Sequence, residues 1–128
     1  MRTTAGIDWQ SGVMGNTSSN GSGSYAPATY VALSDSATAP SSSDTSLGGE
    51  ITGSLYNLNR KQATYAHTSG TNTYTLSATF TSDQTITVQK IGVFTASSGG
   101  TLFIETALPA PVSLNAGDTL FIQETVTL

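Results

Sequence analysis

Cysteine is absent from this 128-residue sequence, and charged residues make up only 9% of it. Without cysteine the chain forms neither a disulfide framework nor a thiolate nucleophile or metal site. Lysine and arginine together number 4, too few for a basic surface that would bind nucleic acid or an anionic membrane. No apolar run approaches the ~18 residues that cross a bilayer. We therefore expect neither nucleic acid nor a membrane among the partners.

Residue types that carry catalysis are equally scarce. His67 is the single histidine, and no G-x-S-x-G motif accompanies the many serines. Glu105 and Glu124 lie in similar IET and QET motifs and could form a glycosidase-like pair, but nothing in the pattern marks a cleft between them. No cluster of histidines and carboxylates has metal-ligand spacing. The sequence predicts no enzyme, no metal site and no cofactor; a hydrolase would need His67 beside a serine and a carboxylate.

Serine and threonine take the place of the missing charges and occupy 40 positions. Threonine suits a pleated strand, whereas serine and glycine suit turns. From residue 73 onward apolar and polar residues alternate, with turn signals at 82–84, 97–100 and 115–118. The alternation slips by one residue near Lys90, beside Gly92, which indicates a β-bulge. We predict an all-β fold: an antiparallel β-sandwich or jelly-roll-like domain over residues 30–128.

Residues 1–29 are predicted to form an extended N-terminal arm and linker. The stretch NTSSNGSGS at 16–24 is typical of a flexible linker. The segment 7–14 before it carries four apolar residues, among them the only tryptophan of the chain, and Ile7, Trp9, Val13 and Met14 could form an anchor for a partner. In the alternative, Trp9 covers the core of its own domain, and the sequence does not choose between the two.

Two strands near the C-terminus are almost repeats of each other, TLFIET at 101–106 and TLFIQET at 119–125. In each, the aliphatic residues face one way and one phenylalanine, Phe103 or Phe121, faces the other. A phenylalanine on an outer face needs cover from a loop, from the N-terminal arm or from another subunit. The low charge favours a protein partner, because few ions would have to be desolvated. Glu50 and Arg60 flank an uncharged stretch, and we predict a structural ion pair between them.

Five segments carry a recurrent pattern over nearly the whole chain. The pattern has a strand, a Thr/Ala/Pro-rich loop that ends in L-x-x-E-[IL], a basic residue, paired K-x-G-[VL]-F and GGTL-F segments, and a closing GDTL strand. The segments are IDWQSGVMG, YVALSDSATAPSSSDTSLGGEI, RKQATYAHTSGTNTYTLSATFT, ITVQKIGVFTASSGGTLFIETAL and LNAGDTLFIQETVTL. In this order they resemble a family of small virion structural proteins of tailed bacteriophages, which includes capsid decoration proteins and fibre-like β-sandwich proteins of the head or tail.

The resemblance implies a structural role in the virion, after synthesis in the host cytoplasm. We expect a capsid decoration protein that binds the major capsid protein or other virion proteins, stabilises the head shell and forms a homo-oligomer, with a trimer favoured. The alternative is a tail, collar or fibre component that could also bind a host glycan. Exposed aromatic residues grouped at one loop end would favour glycan binding; the candidates are Tyr25, Tyr30, Tyr56, Tyr65 and Tyr74.

Overall fold

A computed structural model describes residues 1–15, 26–52 and 56–128, without the side chains of residues 14 and 15. The described residues form one helix and seven strands. In chain order these are α1 (Thr4–Gly15), β1 (Tyr30–Ser34), β2 (Lys61–Gln62), β3 (Thr64–His67), β4 (Thr73–Thr81), β5 (Ile86–Phe94), β6 (Leu102–Leu114) and β7 (Thr119–Thr127). The predicted linker at 16–24 lies outside the described residues.

The strands form two antiparallel sheets. Sheet A has the order β2-β1-β5-β6, and sheet B has the order β3-β4-β7. Every pairing is antiparallel. The main core lies between the sheets, with residues such as Val31 and Ile91 of sheet A packed with Phe80 and Ile122 of sheet B. The predicted all-β antiparallel sandwich is confirmed.

Sheet B follows the alternation that its sequence predicts. On β4, Leu76, Ala78 and Phe80 are buried, while the residues between them are exposed or half-buried. On β7, Ile122 and Val126 are buried in the same way. Because successive side chains of a strand point to opposite faces, one row of each strand enters the core and the other points outward.

Sheet A departs from simple alternation. The pairing of β5 with β6 shifts register between Val88 and Lys90, which confirms the predicted β-bulge. Pro109 and Pro111 lie within β6, the edge strand of sheet A. Proline has no backbone N–H, and an edge strand tolerates it because the missing donor can face away from the neighbouring strand. The turn between the two strands contains Gly99 and Gly100, both at positive φ, as the Gly-Gly signal predicts.

The expectation of an extended N-terminal arm was wrong for residues 4–15, which are helical. Residues from Thr4 to Gly15 form helix α1, and Thr3 caps it: the Gly6 amide donates to the Thr3 hydroxyl over 2.9 Å. Before the helix, the Thr3 amide donates to the Phe103 carbonyl at 3.2 Å, and the Glu105 amide donates to the Met1 carbonyl at 2.9 Å. The N-terminus therefore runs along the outer edge of β6. No helix of the described chain is long and apolar enough to cross a membrane. The division at residue 29 stays a prediction.

The outer face of sheet A is covered by the connection from residue 35 to residue 49. Leu47 of this connection packs on Ala32, Phe94 and Leu102. The Ser34 hydroxyl donates to the Gly48 carbonyl, and the Ile51 amide donates to the Leu33 carbonyl. This connection thus closes one side of the sandwich with residues of the chain itself.

Candidate interaction surfaces

Trp9 and Phe103, both predicted as partner contacts, are buried against each other. Their ring centroids are 4.8 Å apart with an interplanar angle of 56°, and the exposed fractions of the two residues are 9% and 2%. The Trp9 indole N–H donates to the Ala26 carbonyl at 2.8 Å. Gly6 sits directly on the Phe103 backbone, where any side chain would collide with it.

The predicted facing of the strand that contains Phe103 was wrong, because the pairing of β5 with β6 shifts register between Val93 and Phe94. Leu102 packs with Leu47 on the outer face of sheet A, whereas Phe103 and Ile104 belong to one buried cluster that also contains residues of sheet B, and the N-terminal segment covers Phe103.

The other candidates of the predicted anchor differ in position. Ile7 lies on α1 with 53% of its surface exposed, and Val13 is half-buried against the cluster that contains Trp9. The side chain of Met14 lies outside the described residues. Among the described side chains of α1, Ile7 is the large apolar one that a partner could reach without moving the helix. A partner contact through Trp9 stays a prediction that requires α1 to leave the sheet.

Phe121 is exposed, as predicted. It belongs to the outward row of sheet B, which we call the threonine face. The cross-strand register places twelve residues on this face: Thr64, Ala66, Thr73, Thr75, Ser77, Thr79, Thr81, Thr119, Phe121, Gln123, Thr125 and Thr127. Nine of the twelve are threonine or serine, and none is charged. Phe121, 61% exposed, is the large apolar side chain in this row.

A shallow depression of about 260 Å³ lies beside Phe121 on the threonine face. It forms because β3 begins only at Thr64, opposite Ser77, so the last part of β4 has no β3 residue beside it. The residues that line it are Lys61, Gln62, Thr64, Ser77, Ala78, Thr79 and Phe121. An exposed aromatic ring and a depression therefore adjoin each other on an otherwise hydroxyl-rich surface.

The predicted pair of Glu50 and Arg60 is present in the structure. The Arg60 guanidinium donates to both carboxylate oxygens, at 2.7 and 3.0 Å. It also donates to the carbonyls of Ala96 and Gly99, and it lies 3.5 Å from the centroid of the Phe94 ring. Bidentate geometry and several acceptors make such a pair stronger than a simple surface contact. Arg60 thereby ties the connection over sheet A to the β5–β6 turn.

A second ion pair, which the sequence analysis missed, lies under the same connection. Lys90 Nζ is 2.8 Å from Glu105 Oε1, and the exposed fractions of the two residues are 2% and 0%. Glu105 is opposite Gly92 in the register, and Gly92 faces Leu47, so the pair lies on the outer face of sheet A. The other carboxylate oxygen of Glu105 has no hydrogen-bond partner among the residues that the structure describes. The available signal was that Lys90 is the one charged residue of the strand 86–94.

The residues weighed for catalysis do not converge. His67 is exposed on β3, and its Nδ1 lies 2.8 Å from the Thr73 carbonyl oxygen. Glu105 is paired with Lys90, whereas Glu124 accepts a hydrogen bond from the Thr106 hydroxyl at 3.2 Å. Burial raises the pKa of the Glu124 carboxyl above its ordinary value, although the Thr106 hydroxyl and the chain's amino group lower it in part. Within residues 1–15, 26–52 and 56–128, no three histidine or acidic side chains group as metal ligands.

The aromatic candidates for a glycan site are spread over the molecule. Tyr65 is 60% exposed and contacts Tyr74, with ring centroids 5.5 Å apart, next to the β3–β4 turn. Tyr30 packs at the Leu47 cluster, and Tyr56 packs against the main core. Tyr25 lies outside the described residues. Two of the five tyrosines therefore group at one end of the sandwich.

These features describe a small β-sandwich with surfaces suited to protein contacts. A family model described as podophage GP4 fiber I protein gp80 matches residues 8–127. The match covers nearly the whole chain, and the chain belongs to this family. It is a structural protein of the bacteriophage virion, which confirms the predicted class and location. No curated protein matches the chain.

Proposed function

We propose that this chain is a fibre component of the virion that acts by binding other virion proteins, without catalysis. The observation that carries the proposal is the match of residues 8–127 to a fibre protein family. The threonine face and the exposed Phe121 support a binding role, because they leave an uncharged surface open to a protein neighbour. His67 is exposed, and its Nδ1 lies within hydrogen-bond distance of the Thr73 carbonyl oxygen, which favours a structural role in the sheet over a catalytic one.

Capsid decoration is the second candidate. A decoration protein of this kind would bind the capsid surface through an apolar N-terminal segment, and the exposed Ile7 on α1 still favours such a contact. The packing of Trp9 on Phe103 weighs against it, because the largest apolar side chain of the arm is already used inside the domain. We therefore place the fibre role first.

The copy number in the purified virion tests the two candidates against each other. We would quantify this protein against the major capsid protein by mass spectrometry with isotope-labelled peptides. A fibre component should be present in a small number of copies that reflects the symmetry of its attachment site. A ratio close to one per capsid protein, or a simple lattice fraction of it, would support decoration instead. Absence from the particle would contradict both roles.

Host-glycan binding is a further possibility for a fibre component. The pair of Tyr65 and Tyr74 supports it, because an exposed aromatic ring beside hydroxyl groups can stack on a sugar. A depression of about 220 Å³ adjoins the pair and is lined partly by His67 and Tyr74. We expect a Tyr65→Ser variant to lose adsorption of protein-coated beads to host cells, while an Ile7→Ser variant keeps it. Equal adsorption by both variants would remove this role.

A further inference from the structure

We propose that the threonine face is a contact between two copies of this chain, in which Phe121 of each copy enters the depression beside Phe121 of the other. This inference rests on the proposed structural role in the virion and names the surface and the partner. Two features adjoin on this face, the exposed ring of Phe121 and a depression.

The shape of the face is self-complementary. Phe121 has 61% of its surface exposed, and the depression next to it measures about 260 Å³. In a two-fold symmetric contact, residue i of one copy meets residue j of the other, and j meets i in return. A projection and a hollow on one face therefore fit together when a second copy is turned onto the first. A different partner would need its own matching projection and hollow.

The chemistry of the face is also self-complementary. Each threonine or serine hydroxyl both donates and accepts a hydrogen bond, so rows of hydroxyls can bond to identical rows. Within one copy, Gln123 already reaches the Ser77 hydroxyl at 3.5 Å across two strands of this face. A hydroxyl row requires no partner of opposite charge.

Two copies repel each other less at the threonine face than at a face that carries carboxylates. The chain has a formal net charge of −4, so two copies repel each other on average. Exposed carboxylates lie on α1 at Asp8, on the connection at Asp35, and in turns at Asp83 and Asp118. The last two lie beyond the strand ends, and Lys61 borders the depression. Two copies that meet through the threonine face therefore bring no carboxylates of this face together.

The size of the face sets the expected strength of the contact. Strands β4 and β7 have 9 residues each and β3 has 4. At about 3.3 Å per residue and about 4.8 Å between strands, they present a flat area of ~350 Å² per copy. Stable complexes bury about 800 Å² per partner, so this contact falls in the weak range. We expect association in the micromolar to millimolar range in solution, which neighbouring contacts in a particle would strengthen by raising the effective concentration (~mM).

Two matched variants test the contact. Thr125 lies on the threonine face and Thr38 on the connection over sheet A, and both are exposed. Thr125→Lys and Thr38→Lys change the net charge equally, so any difference between them reports position. Phe121→Ser removes the projecting ring. Each variant is first checked for an unchanged thermal midpoint, and its self-association is then measured by sedimentation equilibrium up to ~1 mM.

We expect the wild-type chain to self-associate, and Phe121→Ser and Thr125→Lys to weaken this by tenfold or more, with Thr38→Lys close to wild type. A wild-type chain that stays monomeric up to ~1 mM would overturn the proposal. Equal weakening by both lysine variants would overturn it too, because the effect would then be one of net charge. If the wild type stays monomeric but Thr125→Lys is excluded from virions, the face binds another virion protein and the proposal is wrong.

This experiment separates the contact from the proposed function. A monomeric protein that is still incorporated at low copy number would leave the fibre role intact and remove only the contact between copies. A protein that self-associates but is missing from the virion would remove the structural role and leave the contact.

Discussion

The two outer faces of the sandwich differ in what covers them. The connection at 35–49 lies over sheet A, and beneath it are an aliphatic cluster around Leu47 and the buried pair of Lys90 and Glu105. Sheet B presents an uncharged row of hydroxyls and the exposed Phe121. The connection thus covers an aliphatic cluster, whose exposure to water would cost the most free energy, and encloses the ion pair with it. The hydroxyl face is stable in water, and a partner can cover it when the contact supplies hydrogen bonds to the hydroxyls, which suits a surface that meets a partner only during assembly.

The largest expected effect comes from breaking the pair beneath the connection. Lys90→Met leaves the Glu105 carboxylate buried without its partner, which should lower the free energy of unfolding by about 3–5 kcal/mol. Urea denaturation followed by Trp9 fluorescence measures it. As control, Lys90→Met combined with Glu105→Leu removes both charges and should recover most of the loss. A single variant as stable as the wild type would show that Glu105 is not held in this pair.

The next effect concerns the cover of Phe103. Trp9→Ala removes a side chain that is 9% exposed and packs at 4.8 Å on the Phe103 ring, so we expect a loss of about 3 kcal/mol. Ile7→Ala is the matched control on the same helix and should change stability by less than about 0.5 kcal/mol, because Ile7 is 53% exposed. Circular dichroism melts compare the two. Equal midpoints for both would mean that α1 is not docked in solution.

A smaller effect tests how the connection is fastened. Glu50→Gln and Arg60→Met, alone and together, form a double-mutant cycle across the pair. We expect a coupling energy of about 1–2 kcal/mol, since the contact is bidentate and the side chains are only 14% and 9% exposed. Coupling near zero would show that Arg60 acts through its other contacts, the carbonyls of Ala96 and Gly99 and the Phe94 ring.

The smallest effect depends on pH. Burial raises the pKa of Glu124 in the folded chain, so the folded state holds this proton more tightly than the unfolded state. The wild type should therefore lose stability as pH rises from about 4.5 through the folded pKa. A Glu124→Gln variant has no carboxyl to ionise and should keep its stability over this pH range. At pH 7 it should be more stable than the wild type by a few tenths of a kcal/mol, a value discounted because Glu124 is partly exposed. Parallel urea titrations at pH 4 and pH 7 give the difference, and an equal gap at both would contradict it.

The sequence was sufficient to predict sheet B, because its strands alternate strictly. On β4 the buried row of Leu76 and Phe80 and the outward row of threonines follow from a period of two. The outward position of Phe121 follows in the same way. Local signals also sufficed for the β-bulge near Lys90 and for the Gly99–Gly100 turn.

The parts that were missed depend on contacts between distant residues. Helix α1 contains three glycines in twelve residues and a weak apolar pattern, and it is held by its packing on Phe103, about a hundred residues away. The pair of Lys90 and Glu105 arises from the register of β5 and β6, which the sequence alone does not specify. The ion pair of Glu50 and Arg60 could be predicted because the two residues flank one short uncharged stretch and are therefore close along the chain.

Oxidative footprinting of the free protein and of the assembled virion tests the contrast between the two faces most directly. Hydroxyl radicals modify exposed aromatic residues, and tandem mass spectrometry assigns the modification to Phe94, which lies under the connection with Leu47, or to Phe121 on the threonine face. We predict that Phe94 is protected in both samples, whereas Phe121 is reactive in the dilute free protein and protected in the virion. Reactive Phe121 in the virion, or reactive Phe94 in the free protein, would contradict the account.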